Sequence, residues 1–412
     1  MQEDGPMTEV MKGITILEVA EHTFVPAASA VLADWGATVV KVEHAERGDA
    51  MRGLGKTGVI SLGGDVHILN EHSNRGKQSI GIDLTKPEGL EVLYKLARQA
   101  DVFLTNKLPA VLEKLKISPE EIRAQNPDIV YVRGTSFGAR GPDANRGGYD
   151  MTAFWCRAGN AATVTPLEMD GVLGQPAPAY GDSLGGMTIA GGICAALLQR
   201  ERTGHAPIVD VSLLATGGWA LSAAIALSKQ SGNRWSTGMP GKAQGFNPLV
   251  HVYRTKDDRY ISFVMLQAFH YWPDFCEHIG REDLIGDPRF DSSENLTKHT
   301  SEAIGEIAPV LASRTFSEWN ETFQTLKGQW APVQDTLDFP NDPQVIANGY
   351  MTSTETKAGT PFELVTTPVQ FDEEPAQTSR APEFNEHGDE ILAGLGLSED
   401  EILALRIAGA VT

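Results

Sequence analysis

The segment Gly181–Gly186 carries a carboxylate and a hydroxyl side by side, at Asp182 and Ser183, between glycines. Two chemistries compete for this segment. Centred on Ser183, it fits the G-x-S-x-G pattern of a serine hydrolase nucleophile. Centred on Asp182, it places a carboxylate nucleophile where a covalent acyl intermediate can form.

The flanking residues favour the aspartate. Pro176 and Pro178 predict an extended loop before the segment, whereas a serine nucleophile elbow needs a buried strand there. An apolar stripe from Met187 to Leu198 predicts a helix that ends near Gly204. Asp182 is then expected at or near the helix N-cap. Capping alone is a complete structural explanation for an aspartate at this position.

Composition narrows the class of protein. The chain has 412 residues and a net charge of −20, which argues against nucleic acid or an anionic membrane as partner. Its three cysteines form no C-x-x-C pair, so no metal site is expected. Unpaired cysteines also favour a reducing, cytoplasmic location. The first residues lack the apolar run of a secretion signal.

Strand and helix patterns alternate along the first third of the chain. Residues 13–19 and 37–43 read as strands flanking a helix over 26–36, a β-α-β unit. Further strand patterns at 79–84, 101–105 and 129–133 predict an α/β fold with a Rossmann-like parallel sheet. The G-x-G-x-x-G turn is absent, which argues against dinucleotide binding in the usual manner.

A second domain is expected in the middle of the chain. Residues 249–254 and 260–264 predict a hairpin, and helical segments follow it. We therefore expect a Rossmann-like large domain over 1–224, a smaller α+β domain over 225–335, and a return into the large domain over 336–412.

An ordered series of motifs resembles the class III coenzyme A transferases, the family that includes formyl-CoA transferase, carnitine CoA-transferase and α-methylacyl-CoA racemase. The resemblance covers nearly the whole chain. Its motifs are Leu32–Ala37 with Val40–Glu43, Arg47–Asp49, Asn74–Ile80, Gly148–Asp150, Gly181-Asp182, Val209–Leu214 and Ala331–Val333.

This resemblance implies a role for Asp182 and a set of ligand contacts. Asp182 would attack the acyl-CoA thioester and carry anhydride and aspartyl-thioester intermediates. CoA enters as a substrate, with no tightly bound cofactor. The positions matching CoA contacts are His22, Thr23, Phe24, Arg52, Ile82, Asn106, Lys107 and Lys114.

The resemblance leaves the reaction type open. Racemases of this family carry histidine before the aspartate at the position of Asp150, whereas this chain carries Tyr149, a poor general base at neutral pH. The sequence therefore favours transfer of CoA between carboxylic acids, with racemisation as the alternative and a Ser183 esterase behind both. Tyr149, Asp150, Gly181, Gly241 and Gly245 are the expected substrate-pocket residues, and an interlocked homodimer is the implied assembly.

Overall fold

The computed structural model describes residues 9–57, 64–238, 245–376 and 378–412. The chain divides into two compact units. The larger comprises residues 1–165, 171–236 and 343–412, and the smaller comprises 166–170 and 237–342. The helix Ser222–Ser231 belongs to the larger unit, which therefore extends past the expected boundary at residue 224.

Six parallel strands form the sheet of the larger unit, in the order β3-β2-β1-β4-β5-β6. This is the strand order of the Rossmann fold, so the expected α/β fold with a parallel sheet is confirmed. The strands are β1 (Thr15–Val19), β2 (Thr38–His44), β3 (Gln78–Ile82), β4 (Val102–Thr105), β5 (Val130–Thr135) and β6 (Ile208–Ser212).

Helices cover both faces of this sheet. The helices before the smaller unit are α1 (Phe24–Asp34), α2 (Ile68–Asn74), α3 (Pro87–Gln99), α4 (Pro109–Leu115), α5 (Pro119–Gln125), α6 (Asn160–Val164), α7 (Tyr180–Thr203), α8 (Leu213–Ala220) and α9 (Ser222–Ser231). The segment after the smaller unit adds α14 (Pro343–Ala347), the hairpin β10 (Met351–Glu355) and β11 (Pro361–Val365), α15 (Gly388–Gly394) and α16 (Glu399–Ile407).

Alternate strand residues enter two separate cores, because side chains of a strand point to opposite faces. Ile16 and Leu104 join α1 and α7 in one core. Leu17 and Phe103 join α3, α5 and the carboxyl-terminal helices α15 and α16 in the other. The carboxyl-terminal helices α15 and α16 therefore complete a core that the first strands begin.

Helix α7 approaches α1 closely because glycines face it. A Cβ on Gly185 would lie 2.3 Å from the Phe24 ring, and one on Gly186 would lie 2.7 Å from Ala27. By length and apolar character alone α7 is able to cross a membrane. Its buried residues, Ile189 and Ile193 among them, pack instead into the core with α1.

The smaller unit is an α+β structure with a core of its own. Its antiparallel sheet contains β7 (Val250–Arg254), β8 (Tyr260–Val264) and β9 (Trp330–Pro332), which includes the expected hairpin. The helices are α10 (Ala268–His278), α11 (Ser293–Lys298), α12 (Thr300–Leu311) and α13 (Phe316–Phe323). Aromatic rings dominate the core, with Trp272, Phe275, Trp319 and Phe323 buried.

The α1–α7 contact predicts opposite effects for two glycine substitutions in one helix. Gly185→Ala forces its Cβ into Phe24 and should destabilise the protein by about 1–3 kcal/mol, as overpacking does. A Cβ on Gly191 meets nothing within 4 Å, so Gly191→Ala should leave stability unchanged or raise it by up to about 1 kcal/mol through helix propensity. Thermal melts test this, and equal melting temperatures for the two variants would contradict the packing account.

Candidate active site

Asp182 lies in the first turn of α7, near the N-cap as expected but not at it. The N-cap is Ala179, in the left-handed conformation with φ 59°, so Asp182 is the third helical residue. The helix starts early because the ring of Tyr180 packs edge-on against Phe154 and Trp155, with centroid distances of 6.1 and 6.4 Å. The half-buried Asp182 carboxylate is therefore not used as a helix cap.

Asp150 is held directly against the same turn. Its Oδ2 accepts the Gly181 N–H at 3.0 Å. A Cβ on Gly181 would lie 2.4 Å from Asp150 Oδ1 and 2.3 Å from the Phe154 ring, so only glycine permits this approach. A seven-residue π-helix, Met151–Arg157, begins immediately after Asp150. Two carboxylates thus meet at the start of α7.

Burial and mutual repulsion set the charge state of this pair. Burial raises the pKa of Asp182, and the neighbouring Asp150 raises it further, to about 7. Burial also raises the pKa of Asp150, against the lowering effect of the Gly181 N–H hydrogen bond. The amino end of α7 favours the ionised form, but the shift shows that burial and repulsion outweigh it. Asp182 therefore titrates near neutral pH, where a nucleophile is useful.

The turn after β1 reaches this site through one aromatic contact. His22 has φ 66°, its backbone N–H donates to Asp49 Oδ1 at 3.1 Å, and its ring meets Tyr149 edge-on at 5.6 Å. Tyr149 is 66% exposed. Thr23 and Phe24 are buried, and the Phe24 ring packs on Gly185. Within this turn, His22 is thus the residue whose side chain lies at the site, and its two successors support it.

A cleft of about 260 Å³ opens at the carboxyl ends of β1, β2 and β3. In open parallel sheets this edge is where ligands bind. Three of the expected CoA contacts, Ile82, Lys107 and Lys114, line it together. Further lining residues include Glu21, His44, Arg47 and Thr85.

Two other expected CoA contacts serve the surrounding structure. Arg52 donates to both oxygens of Glu43 at 2.7 Å and to the Pro382 carbonyl at 3.1 Å, so its guanidinium is already engaged. Asn106 binds both backbone polar groups of Glu21, at 3.2 and 2.7 Å. Lys107 pairs with the Glu21 carboxylate at 2.6 Å. These bonds fix the wall of the cleft.

The two glycines expected from the loop near residue 240 have different outcomes. Gly241 lies outside the described residues. Gly245 belongs to the smaller unit and has φ 114°, a conformation that glycine tolerates best. In the described part of the chain, no group of three His, Cys, Asp or Glu side chains is arranged to hold a metal ion.

A buried charge network beneath the His22 turn was missed by sequence reasoning. Lys41 contacts Glu18 and Asp49, each at 2.7 Å, and Lys77 contacts Glu18 at 2.8 Å. A signal for it exists in the sequence, because Glu18 and Lys41 interrupt otherwise apolar strands and are register partners. His72, whose Nε2 lies 3.1 Å from Ser183 Oγ, was also missed, and no sequence pattern points to it.

The fold and the site define an α/β enzyme with a carboxylate that titrates near pH 7, and comparison with known proteins identifies its family. A family model described as CoA-transferase family III matches residues 11–388. The chain is 29% identical to (R)-2-hydroxy-4-methylpentanoate CoA-transferase of Clostridioides difficile over 95% of this chain and 97% of that protein. It is also 29% identical to cinnamoyl-CoA:phenyllactate CoA-transferase of Clostridium sporogenes, over 96% and 95%.

Solved structures agree with this assignment. A CAIB/BAIF family protein from Brucella suis superposes with a TM-score of 0.79 at 25% identity, covering 94% of this chain and 99% of that one. Rv3272 from Mycobacterium tuberculosis gives 0.75 at 27% identity, over 92% and 98%. The chain therefore belongs to CoA-transferase family III, and the protein is a CoA-transferase.

The raised pKa of Asp182 predicts a pH-dependent stability gain when its charge is removed. The stability that Asp182 contributes is present below its unfolded pKa near 4 and is lost as pH rises through about 7. Asp182→Asn should therefore stabilise the protein by about 1–3 kcal/mol at pH 8.5 and by far less at pH 4.5, close to the unfolded pKa. Melting temperatures at both pH values test this, with the exposed Asp128→Asn as control; a gain that is the same at both pH values would contradict it.

The contact with Asp150 predicts a shift in the pH profile of activity. Asp150→Asn removes the neighbouring charge but keeps an oxygen that accepts the Gly181 N–H, so the pKa of Asp182 should fall. The acid limb of kcat/KM, which reports the free enzyme, should then move to lower pH. An unchanged acid limb would mean that Asp150 does not act on the group that titrates there.

Proposed function

We propose that the protein transfers CoA between carboxylic acids through covalent intermediates on Asp182. The observation that carries this proposal is the placement of one carboxylate, with a pKa of about 7, in a glycine-flanked helix start. Above that pH the carboxylate is ionised and poorly hydrated, which makes it a competent nucleophile.

The proposed reaction balances without water. Asp182 attacks the thioester carbonyl, the carbon–sulfur bond breaks, and CoA departs as the thiolate. The product on the enzyme is a mixed anhydride of Asp182 and the donor acid. The thiolate attacks the aspartyl carbonyl, which releases the donor acid and leaves an aspartyl thioester. The acceptor carboxylate then attacks that thioester, CoA thiolate leaves and attacks the acceptor carbonyl of the new anhydride, and Asp182 is regenerated.

Acyl-CoA binding is proposed in the cleft at the carboxyl ends of β1 to β3. Lys114 and Arg47 supply positive charge there on a chain with a net charge of −20, and Lys107, which is paired with Glu21, lines the same cleft. Phosphate groups of CoA are the anions that such a local cluster suits. The His22 turn joins this cleft, through Glu21, to the Tyr149 and Asp150 side of the site.

A homodimer is the proposed assembly. The last two helices before the smaller unit, α8 and α9, carry exposed apolar side chains: Trp219 is 79% exposed, and Ile225 and Leu227 are each 47% exposed. Large apolar side chains exposed on these two helices suit a surface that a second copy of the chain covers. The three free thiols suit a cytoplasmic location, and the acidic charge disfavours nucleic acid and anionic membranes as partners.

The serine esterase alternative loses support from the backbone at Ser183. No strand leads into Asp182 in the described segment 158–179, and Ser183 is an ordinary helical residue. A nucleophile elbow places its serine on a strained turn after a strand. The His72 contact does not restore this alternative, because burial, and then the nearby Arg75 and Lys77, lower the pKa of His72 and disfavour the protonated imidazole that a general base must become.

An isotope experiment separates the alternatives. With an acceptor carboxylate labelled with ¹⁸O at both oxygens, the proposed route transfers one labelled oxygen to Asp182. After a single turnover the peptide containing Asp182 should gain about 2 Da by mass spectrometry, an expectation that follows from covalent catalysis on this carboxylate. Acceptors should include 2-hydroxy acids, in line with the relative named (R)-2-hydroxy-4-methylpentanoate CoA-transferase.

The controls are two substitutions and a solvent label. Asp182→Ala should abolish the formation of new CoA esters, whereas Ser183→Ala should retain a measurable rate. New CoA esters without label in the Asp182 peptide would rule out the covalent route. With a chiral 2-methylacyl-CoA in D2O, deuterium at the α-carbon without CoA exchange would show a racemase instead.

A further inference from the structure

Helix α2 is tied at its amino end to the support of the His22 turn. His67 caps α2: its Nδ1 accepts the Asn70 N–H at 3.2 Å, and its Nε2 lies 2.8 Å from the Met51 carbonyl. The Met51 N–H in turn donates to Asp49 Oδ1 at 2.8 Å, the same oxygen that accepts the His22 N–H. The position of α2 is therefore fixed by the residues that hold the turn after β1.

The other end of α2 contacts the nucleophile's helical turn. His72 Nε2 lies 3.1 Å from Ser183 Oγ, and that hydroxyl is 2.9 Å from the Ala179 carbonyl. A serine has one hydroxyl proton, and the carbonyl can only accept it. Ser183 Oγ must therefore accept from His72, which requires a proton on the imidazole Nε2.

The surroundings of His72 keep its imidazole neutral. Burial lowers the pKa of His72, and the nearby Arg75 and Lys77 lower it further, to about 4. The imidazole is thus neutral throughout the range in which Asp182 titrates. Its role at the site is to donate a hydrogen bond, not to exchange a proton.

We propose that His72 is a positioning residue for Asp182, acting through Ser183 on the left-handed Ala179 that starts α7. A left-handed conformation is unfavourable for a non-glycine residue, so it needs support from its neighbours. The Ala179 carbonyl accepts both the N–H and the hydroxyl of Ser183, and His72 holds that hydroxyl in place. The inference rests on the proposed function, because that proposal makes the Asp182 carboxylate the nucleophile.

Kinetics of four variants and one control variant test this role. His72→Ala should lower kcat roughly 10- to 100-fold, as a displaced reactive group does, and leave the KM for acyl-CoA nearly unchanged. His72→Gln, whose amide also donates, should recover most of the rate. Ser183→Ala should match His72→Ala, and the double variant should be no slower than either, because both remove one interaction. His205→Ala, at an exposed site, serves as the control.

Two results would overturn the proposal. One is a His72→Ala enzyme, folded by circular dichroism, with unchanged kcat. The other is a double variant whose loss is the product of the two single losses, which would mean that the residues act independently.

A measurement without turnover separates this inference from the proposed function. In ¹⁵N-histidine NMR, with His72 assigned by the loss of its signals in His72→Gln, we expect the Nε2–H tautomer and no titration between pH 5 and 9. An Nδ1–H tautomer or a titration near pH 6.5 would defeat the His72 inference even in an active transferase. If the spectrum is as expected but no ¹⁸O label reaches Asp182 during turnover, the proposed function fails and the His72 hydrogen bond stands.

Discussion

The buried ion pairs of Lys41 underlie the geometry of the whole site. Lys41 and Glu18 lie opposite each other on neighbouring strands, both fully buried, and Lys41 also binds Asp49. Lone charges at this depth are very costly, so each partner requires the others. Because the attraction of Lys41 and Lys77 outweighs burial, the pKa of Glu18 stays below its usual range. The network thereby fixes Asp49, which holds the turn after β1.

At the candidate site this turn meets the start of α7, where glycines let the helix backbone approach its neighbours closely. His22 contacts Tyr149, and the neighbouring Asp150 binds the backbone of Gly181. Glycines at 181 and 185 allow α7 to lie against Asp150 and Phe24. The same close approach that orders the site also dehydrates Asp182 and brings a second negative charge to it. Precise placement and a raised pKa are therefore two results of one packing arrangement.

Much of the fold follows from local patterns in the sequence. The bounds of α3, Pro87–Gln99, follow from the proline at its start and from its apolar stripe, which both act locally. The hairpin of β7 and β8 was predicted for the same reason. The start of α7 was not, because the left-handed Ala179 and the aromatic contacts of Tyr180 depend on residues 154 and 155. Charges such as Arg52 were expected to face ligand, but their partners are set by the tertiary fold.

By itself, the sequence determined the α/β class, the family resemblance and the choice of Asp182, because periodicity, glycine spacing and motif order are properties of the chain. The tertiary structure decided how that aspartate is charged and held. Asp150 lies 31 residues from its hydrogen-bond partner Gly181, and His72 lies 111 residues from Ser183. Burial and charge repulsion depend on distance in space, so no local pattern encodes the pKa near 7 or the hydrogen bond from His72.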